Sequence, residues 1–197
     1  VQVSDGLGGT ASQDVTITIN GTNDEPEITS SVADAAGTVA EGDPGDAAIT
    51  VSGQLAADDV DAGATEAWTI TSTDGNAGTY GSLSLDPDTG GWTYTLANEA
   101  ANVQALAADD VVQDTFTVQV SDGQEGTASQ DVTITINGTN DAPHVTTEIS
   151  NATADEEYAF TYDVSGHFSD VDGLETALRF TATLDDEGTL PAWLTID

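Results

Sequence analysis

The sequence predicts an all-β chain of β-sandwich modules in tandem, and three observations predict it. Residues 1–26, VQVSDGLGGTASQDVTITINGTNDEP, recur at 118–143 as VQVSDGQEGTASQDVTITINGTNDAP, with differences only at Leu7/Gln124, Gly8/Glu125 and Glu25/Ala142. The offset is 118 − 1 = 117 residues, a domain-sized period, so the repeat is a string of globular units and not a short-period solenoid. Apolar and polar residues alternate strictly over several runs, the period of a half-buried strand. Gly, Asp and Asn punctuate those runs at the spacing expected of a sandwich.

The elements follow in order. An edge strand is expected near Gly37–Ala40, then strands at Ile49–Leu55, Trp68–Thr71, Ser82–Leu85 and Trp92–Leu96. Pro87-Asp88-Thr89-Gly90-Gly91 turns the chain between the last two. The Ala-rich stretch 97–108 suits a short helical crossover. Phe116, Val118 and Val120 then share one face, as do Val132, Ile134 and Ile136, with a Gly-bearing turn at 121–126 between them. This closing antiparallel hairpin completes about seven strands, the pattern of an Ig-like or cadherin-like sandwich.

The period also sets boundaries. Residues 1–24 read as the closing hairpin of a preceding module, 25–141 as a complete module and 142–197 as the incomplete opening of a third. The third piece does not match the second, although Tyr158, Phe160, Tyr162 and Val164 make one expected strand face and Leu178, Phe180 and Leu184 another. Trp68, Trp92 and Trp193 are expected in cores, and His144 and His167 in linker or turn positions. Asn20-Gly-Thr, Asn137-Gly-Thr and Asn151-Ala-Thr match glycosylation sequons, but the first two read as turn chemistry.

Composition narrows the function. There are 36 acidic residues against a single base, Arg179, for a formal net charge of −35. Carboxylates cannot be paired with bases here, so any cluster of them needs cations, protons or wide separation. The charge excludes nucleic acid, whose phosphates demand Lys and Arg, and disfavours an anionic membrane surface. With no Cys there is neither a disulfide nor a thiolate metal site. No apolar run is long enough to insert into a membrane, and with no Met the chain reads as an internal fragment.

A family resemblance rests on DDVDAG at 58–63, GTYGSLSLDPDTGGWTYTL at 78–96, VQALAADDVVQDTFTVQVSDG at 103–123 and the closing VTITINGTNDAP. These residues resemble the VCBS repeat, which recurs in very large secreted bacterial adhesins, often of the repeats-in-toxin (RTX) class. The last piece, through FTYDVSGHFSDVDG at 160–173 and LPAWLTID at 190–197, is similar to the start of a cadherin-like, dystroglycan-type Ig domain. The resemblance implies Ig-like folds, a bacterial cell-surface location reached by type I secretion, and roles in cell adhesion and biofilm formation.

Calcium is the expected cofactor, because it takes six to eight hard oxygen ligands from carboxylates, carbonyls and waters. In a sandwich the first strand runs away from the leading linker and the second runs back. The acids after the second strand, Asp59 and Asp61, therefore return to linker residues Asn23 and Asp24, and Asp122 in the last hairpin turn lies at the same end. Asp170 and Asp172 return in the same way to Asn140 and Asp141. Glu41 follows the first strand and should face this trailing linker, with Asp110 as a further contributor from the Asp109-Asp110 and Asp114 group. The set is similar to the cadherin arrangement, where an early Glu, an Asn-Asp-x-Pro linker and a DxD converge. A lone DxD in so acidic a chain is ordinarily a solvated turn, and Asp74, Asp86 and Asp88 are read that way. What lifts the two DxD turns above that reading is that each follows an Asn-Asp-x-Pro linker.

The expected function is a structural extender whose partners are neighbouring repeats of the same chain, a monomeric rod segment held stiff by interdomain calcium. The alternatives are a module binding carbohydrate, protein or ice, for which the outward Thr133 and Thr135 offer only ordinary strand chemistry, and an accessory domain of a secreted exoenzyme. Adaptation to a salty habitat would explain the charge but not the repeated placement of linker and DxD. No nucleophile sits in a recognisable catalytic motif, and the chain is not expected to be an enzyme.

Overall fold

The computed structural model describes residues 1–173, 178–185 and 188–196. Strands β1 (Gln2–Ser4) and β2 (Thr10–Ser12) form a short antiparallel hairpin. Strand β3 (Glu27–Ile28) leads into β4 (Ala36–Ala40), β5 (Thr50–Gln54), β6 (Ala57–Asp58) and β7 (Ala67–Ile70). After β8 (Gly81–Leu85) and β9 (Gly91–Leu96) comes the short helix α1 (Ala101–Gln104), then the long strands β10 (Val111–Ser121) and β11 (Thr127–Asn137). Strands β12 (His144–Val145) and β13 (Phe168–Ser169) form a final two-stranded pair.

Two sheets make the sandwich, one in the order β4-β11-β10-β7 and the other β5-β9-β8. The alternation in the sequence is the reason. Phe116, Val118 and Val120 on β10 and Val132, Ile134 and Ile136 on β11 are buried in the core, while the residues between them face outward. From the second sheet Leu83, Trp92, Tyr94 and Leu96 close the core, and Tyr94 lies 6.1 Å from Phe116, ring centroid to centroid. Each such side chain taken out of water contributes roughly 1.5–3 kcal/mol. Gly53 is demanded by close approach: a Cβ there would sit 2.5 Å from the Trp92 ring, whose indole Nε1 donates to the Asp34 carbonyl at 3.0 Å.

The all-β sandwich expected from the pattern is the observed architecture. One pairing was not foreseen: β4 runs parallel to β11, Ala36 opposite Thr133 and Ala40 opposite Asn137. That register carries Glu41, the residue after β4, to the end of β11, where its amide donates to the Asn137 carbonyl at 2.9 Å. The expected strands in 158–164 and 178–184 do not form, and Trp193, expected in a core, is 82% exposed. A strand needs a partner to satisfy its backbone, and among the described residues only β12 and β13 pair in this region. The expected continuation 174–177, 186–187 and 197 lies outside the described residues.

Candidate metal centres at the two linkers

The same local architecture occurs twice. Each linker strand pairs antiparallel with the strand that runs directly into a DxD turn. In β3–β6 Glu27 faces Asp58, one residue before Asp59; in β12–β13 His144 faces Ser169, one residue before Asp170. Glu27 is three residues beyond Asp24, and His144 three beyond Asp141, so the register is identical.

This register fixes a shared hydrogen-bond pattern. The Asp24 amide donates to Asp61 Oδ2 at 2.7 Å, and the Asp61 amide to Asp59 Oδ1 at 2.8 Å. At the trailing linker the Asp141 amide donates to Asp172 Oδ2 at 3.0 Å, and the Asp172 amide to Asp170 Oδ1 at 3.1 Å. In each linker the Asn folds back on its neighbour's carbonyl, Asn23 to Asp24 at 2.9 Å and Asn140 to Asp141 at 2.6 Å. Asn23 also donates to Asp122 Oδ2 at 2.8 Å, which ties the last hairpin turn of the sandwich to the leading linker. That donor, with the amides of Gln124 and Gly126, holds the Asp122 carboxyl below the usual range.

The trailing group is the more deeply buried. Glu41 and Asp141 are each 4% exposed, Asp170 7% and Asp172 9%. Glu41 Oε2 accepts from the Thr139 amide at 3.3 Å, which places Glu41 against the linker as its position after β4 requires. Burial, then the charges of Asp141 and Asp172, push the Glu41 carboxyl up to about 7 against the Thr139 hydrogen bond. Burial, then Asp172, Asp43 and Asp170, raise Asp141 as well. Like charges and lost hydration act together here, and no base stands in the cluster to offset them.

Buried oxygens without a hydrogen-bond partner mark where a cation would fit. On carboxylates they are Glu41 Oε1, Asp141 Oδ2 and Asp172 Oδ1 at the trailing end and Asp59 Oδ2 at the leading end, and the amide oxygen Gln104 Oε1 is likewise unpartnered. A buried carboxylate oxygen with no donor is costly, and a hard cation is its natural complement. The carboxylates do not close into a finished shell: among the described residues no three His, Cys, Asp or Glu side chains stand together as a ready-made site. Mutually repelling carboxylates spread apart, and a bound cation would offset that repulsion.

Of the two acids expected near the trailing end, Asp110 lies there, its carbonyl accepting from the Gly138 amide at 2.9 Å, whereas Asp114 is held in the core. Asp110 Oδ2 accepts from the Ala107 amide at 3.1 Å within its own turn. Asp114 is buried, and it accepts from the Thr79 amide at 2.8 Å, the Tyr80 amide at 3.0 Å and the Tyr94 hydroxyl at 2.7 Å, so its oxygens are committed to the core.

Sequence reasoning missed Asp43, Asn98 and Gln104. The Asp43 carboxyl comes within hydrogen-bonding reach of Asp141. The loop carrying it is clamped by two buried amides: Asn98 accepts from the Gly42 amide at 3.1 Å and donates to its carbonyl at 2.9 Å, and Gln104 donates to that carbonyl at 3.0 Å. Glu41-Gly-Asp43 is itself an acid pair at DxD-like spacing, a signal that could have found Asp43. Nothing local marks Asn98 or Gln104, which reach the loop from more than 50 residues away.

A β-sandwich with a DxD turn hydrogen-bonded to the linker at each end is the architecture of a cadherin-like module. The family profile described as bacterial cadherin-like domain matches residues 23–138, more than half of the chain, and the chain belongs to that family. Members of this family are non-enzymatic extracellular modules that generally bind calcium. No helix among the described residues is long and apolar enough to cross a membrane. No curated protein matches the chain. Among solved structures it resembles mouse cadherin-23 EC22-24 at 18% identity over 60% of this chain and 34% of that one, with a TM-score of 0.36. It also resembles the protocadherin GammaB4 extracellular domain, at 21% identity over 79% and 23%, TM-score 0.38. A nucleoside hydrolase-related hypothetical protein from Saccharophagus degradans, associated with carbohydrate metabolism, resembles it at 14% identity over 59% and 26%, TM-score 0.33. The chain thus spans between 23% and 34% of these solved chains.

Proposed function

We propose that this chain is part of the extender region of a large secreted bacterial surface adhesin of the RTX type, built from VCBS repeats. In this reading calcium at each linker fixes the angle between successive modules and so stiffens a rod that projects distal binding domains for adhesion and biofilm formation. The single observation that carries it is that Glu41, Asp141 and Asp172 each hold a buried carboxylate oxygen without a donor. These come from the end of β4, from the linker and from the segment after β13, so one cation would tie three parts of the chain together.

At the trailing linker Glu41, Asp141, Asp170 and Asp172 would hold the ion, with Asp43 and Asn140 beside them. At the leading linker Asp24, Asp59, Asp61 and Asn23 would do so, with Asp122 as the tether to the sandwich. The bound ion supplies positive charge where the chain has none of its own. This chain's residues supply the rest: the Asp141 amide orients Asp172, and Asn98 with Gln104 holds the Glu41–Asp43 loop in place. Calcium at 100 times its dissociation constant would stabilise each junction by about 2.7 kcal/mol. Small-angle scattering and thermal melting of the chain with calcium and with a chelator test the reading. Removal of calcium is expected to lower the melting temperature and broaden the scattering envelope; identical profiles overturn it.

A further inference from the structure

The linkers deliver the chain to opposite ends of the sandwich, the leading one ahead of β3 and the trailing one after β11. Strands β4 and β11 are parallel, so both run from the leading end to the trailing end. Their pairing holds Ala36 opposite Thr133 at one end and Ala40 opposite Asn137 at the other. The Thr133 amide donates to the Ala35 carbonyl at 3.0 Å, and the Glu41 amide to the Asn137 carbonyl at 2.9 Å, so both ends of the pairing are closed. Strand β11 is in turn paired along all 11 of its residues with β10. Strand β3, by contrast, holds β6 through two residues only. On the inward face of β4, Gly37 sits between the sheets. A Cβ there would meet Val51 Cγ1 on β5 at 2.8 Å and Ile134 Cδ1 on β11 at 3.2 Å. The next inward residue toward the trailing end is Val39, which is buried in the core.

We propose that the β4–β11 pair is the tension-bearing joint of the module, and that Gly37 with Val39 makes it a one-way steric stop. That tension reaches the joint rests on the extender reading; the stop itself rests on the topology. A pull on the two linkers draws β4 by its first residue toward the leading end and β11 by its last residue toward the trailing end. Strand β3 yields first, because two residues pair it. The force then runs along β4 and β11 and not across them, so their registered pairs must shear together and none opens ahead of the others. A slip of one residue would turn the inward side chains of β4 outward. A slip of two residues, roughly 6.6 Å at ~3.3 Å per residue, would drive Val39 into the place of Gly37. That place has no room even for a Cβ. Val51, which closes it, is β-branched and stiff at χ1, so it has little freedom to turn aside. Strand β4 is therefore freed only when the two sheets part and the core meets water. With no Cys in the chain, no disulfide shares this task.

Single-molecule pulling of the full chain tests this, and the absence of Cys lets thiol handles be placed in pairs. Glu25→Cys with Ala142→Cys pulls through the two linkers. Glu25→Cys with Gln124→Cys pulls β4 and β11 from the same end, so that their pairs open one at a time. All three positions are exposed. In chelator the first geometry is expected to need at least about two-fold more force, since forced unfolding reads the barrier and not the equilibrium. Val39→Gly should bring the linker-pulled force down toward that of the second geometry. Val39→Ala, which keeps the Cβ, should retain most of it. Leu83→Ala, a core change in the other sheet, should lower the melting temperature and leave the difference between the two directions in place. Equal forces in the two directions, or the same linker-pulled force in Val39→Gly and Val39→Ala, would overturn the proposal. Every arm is run in chelator, so a failure of the calcium reading would leave these outcomes untouched.

Discussion

The Asp141 amide donates to Asp172 Oδ2 at 3.0 Å, and 117 residues earlier in the repeat the Asp24 amide makes the same bond to Asp61 Oδ2 at 2.7 Å. Two stretches unrelated outside the linker and the DxD thus meet in one geometry. The bond orients one oxygen of the second DxD acid and leaves Asp172 Oδ1 buried without a donor, which is the requirement for a ligand in waiting.

Glu41→Gln should change sign with calcium. In chelator near pH 8 it removes a charge that burial and two neighbouring carboxylates oppose, and the melting temperature is expected to rise by about 4 °C, the shift that ~1 kcal/mol gives in a domain of this size. In calcium the same variant should melt lower than the parent. Melting curves in both buffers check it, and a fall in both would mean that the Glu41 charge is not opposed by its surroundings in the calcium-free chain.

The pH dependence follows from the same group. The folded pKa of Glu41, about 7, lies above its ordinary 4.5, so the folded state holds the proton more tightly. Calcium-free stability should therefore be greatest at the bottom of the pH 4.5–7 window and be lost as pH rises through about 7. Asp141, also raised, adds in the same direction. Asp34 and Asp122 are lowered and work oppositely, but only as pH falls below 3.8 and through their folded values. Calcium binding demands the deprotonated acids, so its affinity should weaken as pH drops below about 7. Urea melts across this range, with and without calcium, read both slopes.

Asp114→Ala separates the core from the junctions. It strips the Thr79 and Tyr80 amides and the Tyr94 hydroxyl of their acceptor. The expected cost is about 3 kcal/mol in denaturant melts, the same with or without calcium. A cost that appears only in calcium would instead make Asp114 part of the metal site.

Asn98→Ala tests positioning. Asn98 touches the Gly42 and Asp43 backbone and none of the acids' carboxylates. Loss of such a support should weaken calcium binding by about 10-fold or more. Asp110→Asn, held in its own turn, should leave the affinity unchanged. A destabilised Asn98→Ala chain with unaltered affinity would reduce the clamp to ordinary packing.

The sandwich was legible because its strands alternate cleanly: Val132, Ile134 and Ile136 announce a face that the structure buries. The return of each DxD turn to its linker was legible by chain direction, which brings Asp61 to Asp24 and Asp172 to Asp141. The parallel β4–β11 pairing was not, since a five-residue strand carries no record of which neighbour it joins or in which sense. Asp114 misled because its position before the core half of β10 suggests a loop acid, whereas an 11-residue strand turns it inward to Tyr94. Aromatic alternation at Tyr158–Tyr162 predicted a strand that has no partner among the described residues, and a strand is a property of two segments, not one.

The most direct test of calcium at the linkers is a calorimetric calcium titration of the whole chain at about pH 7.5, above the value of about 7 to which Glu41 is raised. The account predicts saturable binding, of which Asp170→Asn with Asp172→Asn removes the trailing part and Asp59→Asn with Asp61→Asn the leading part. No binding, or binding untouched by both pairs of substitutions, would contradict it.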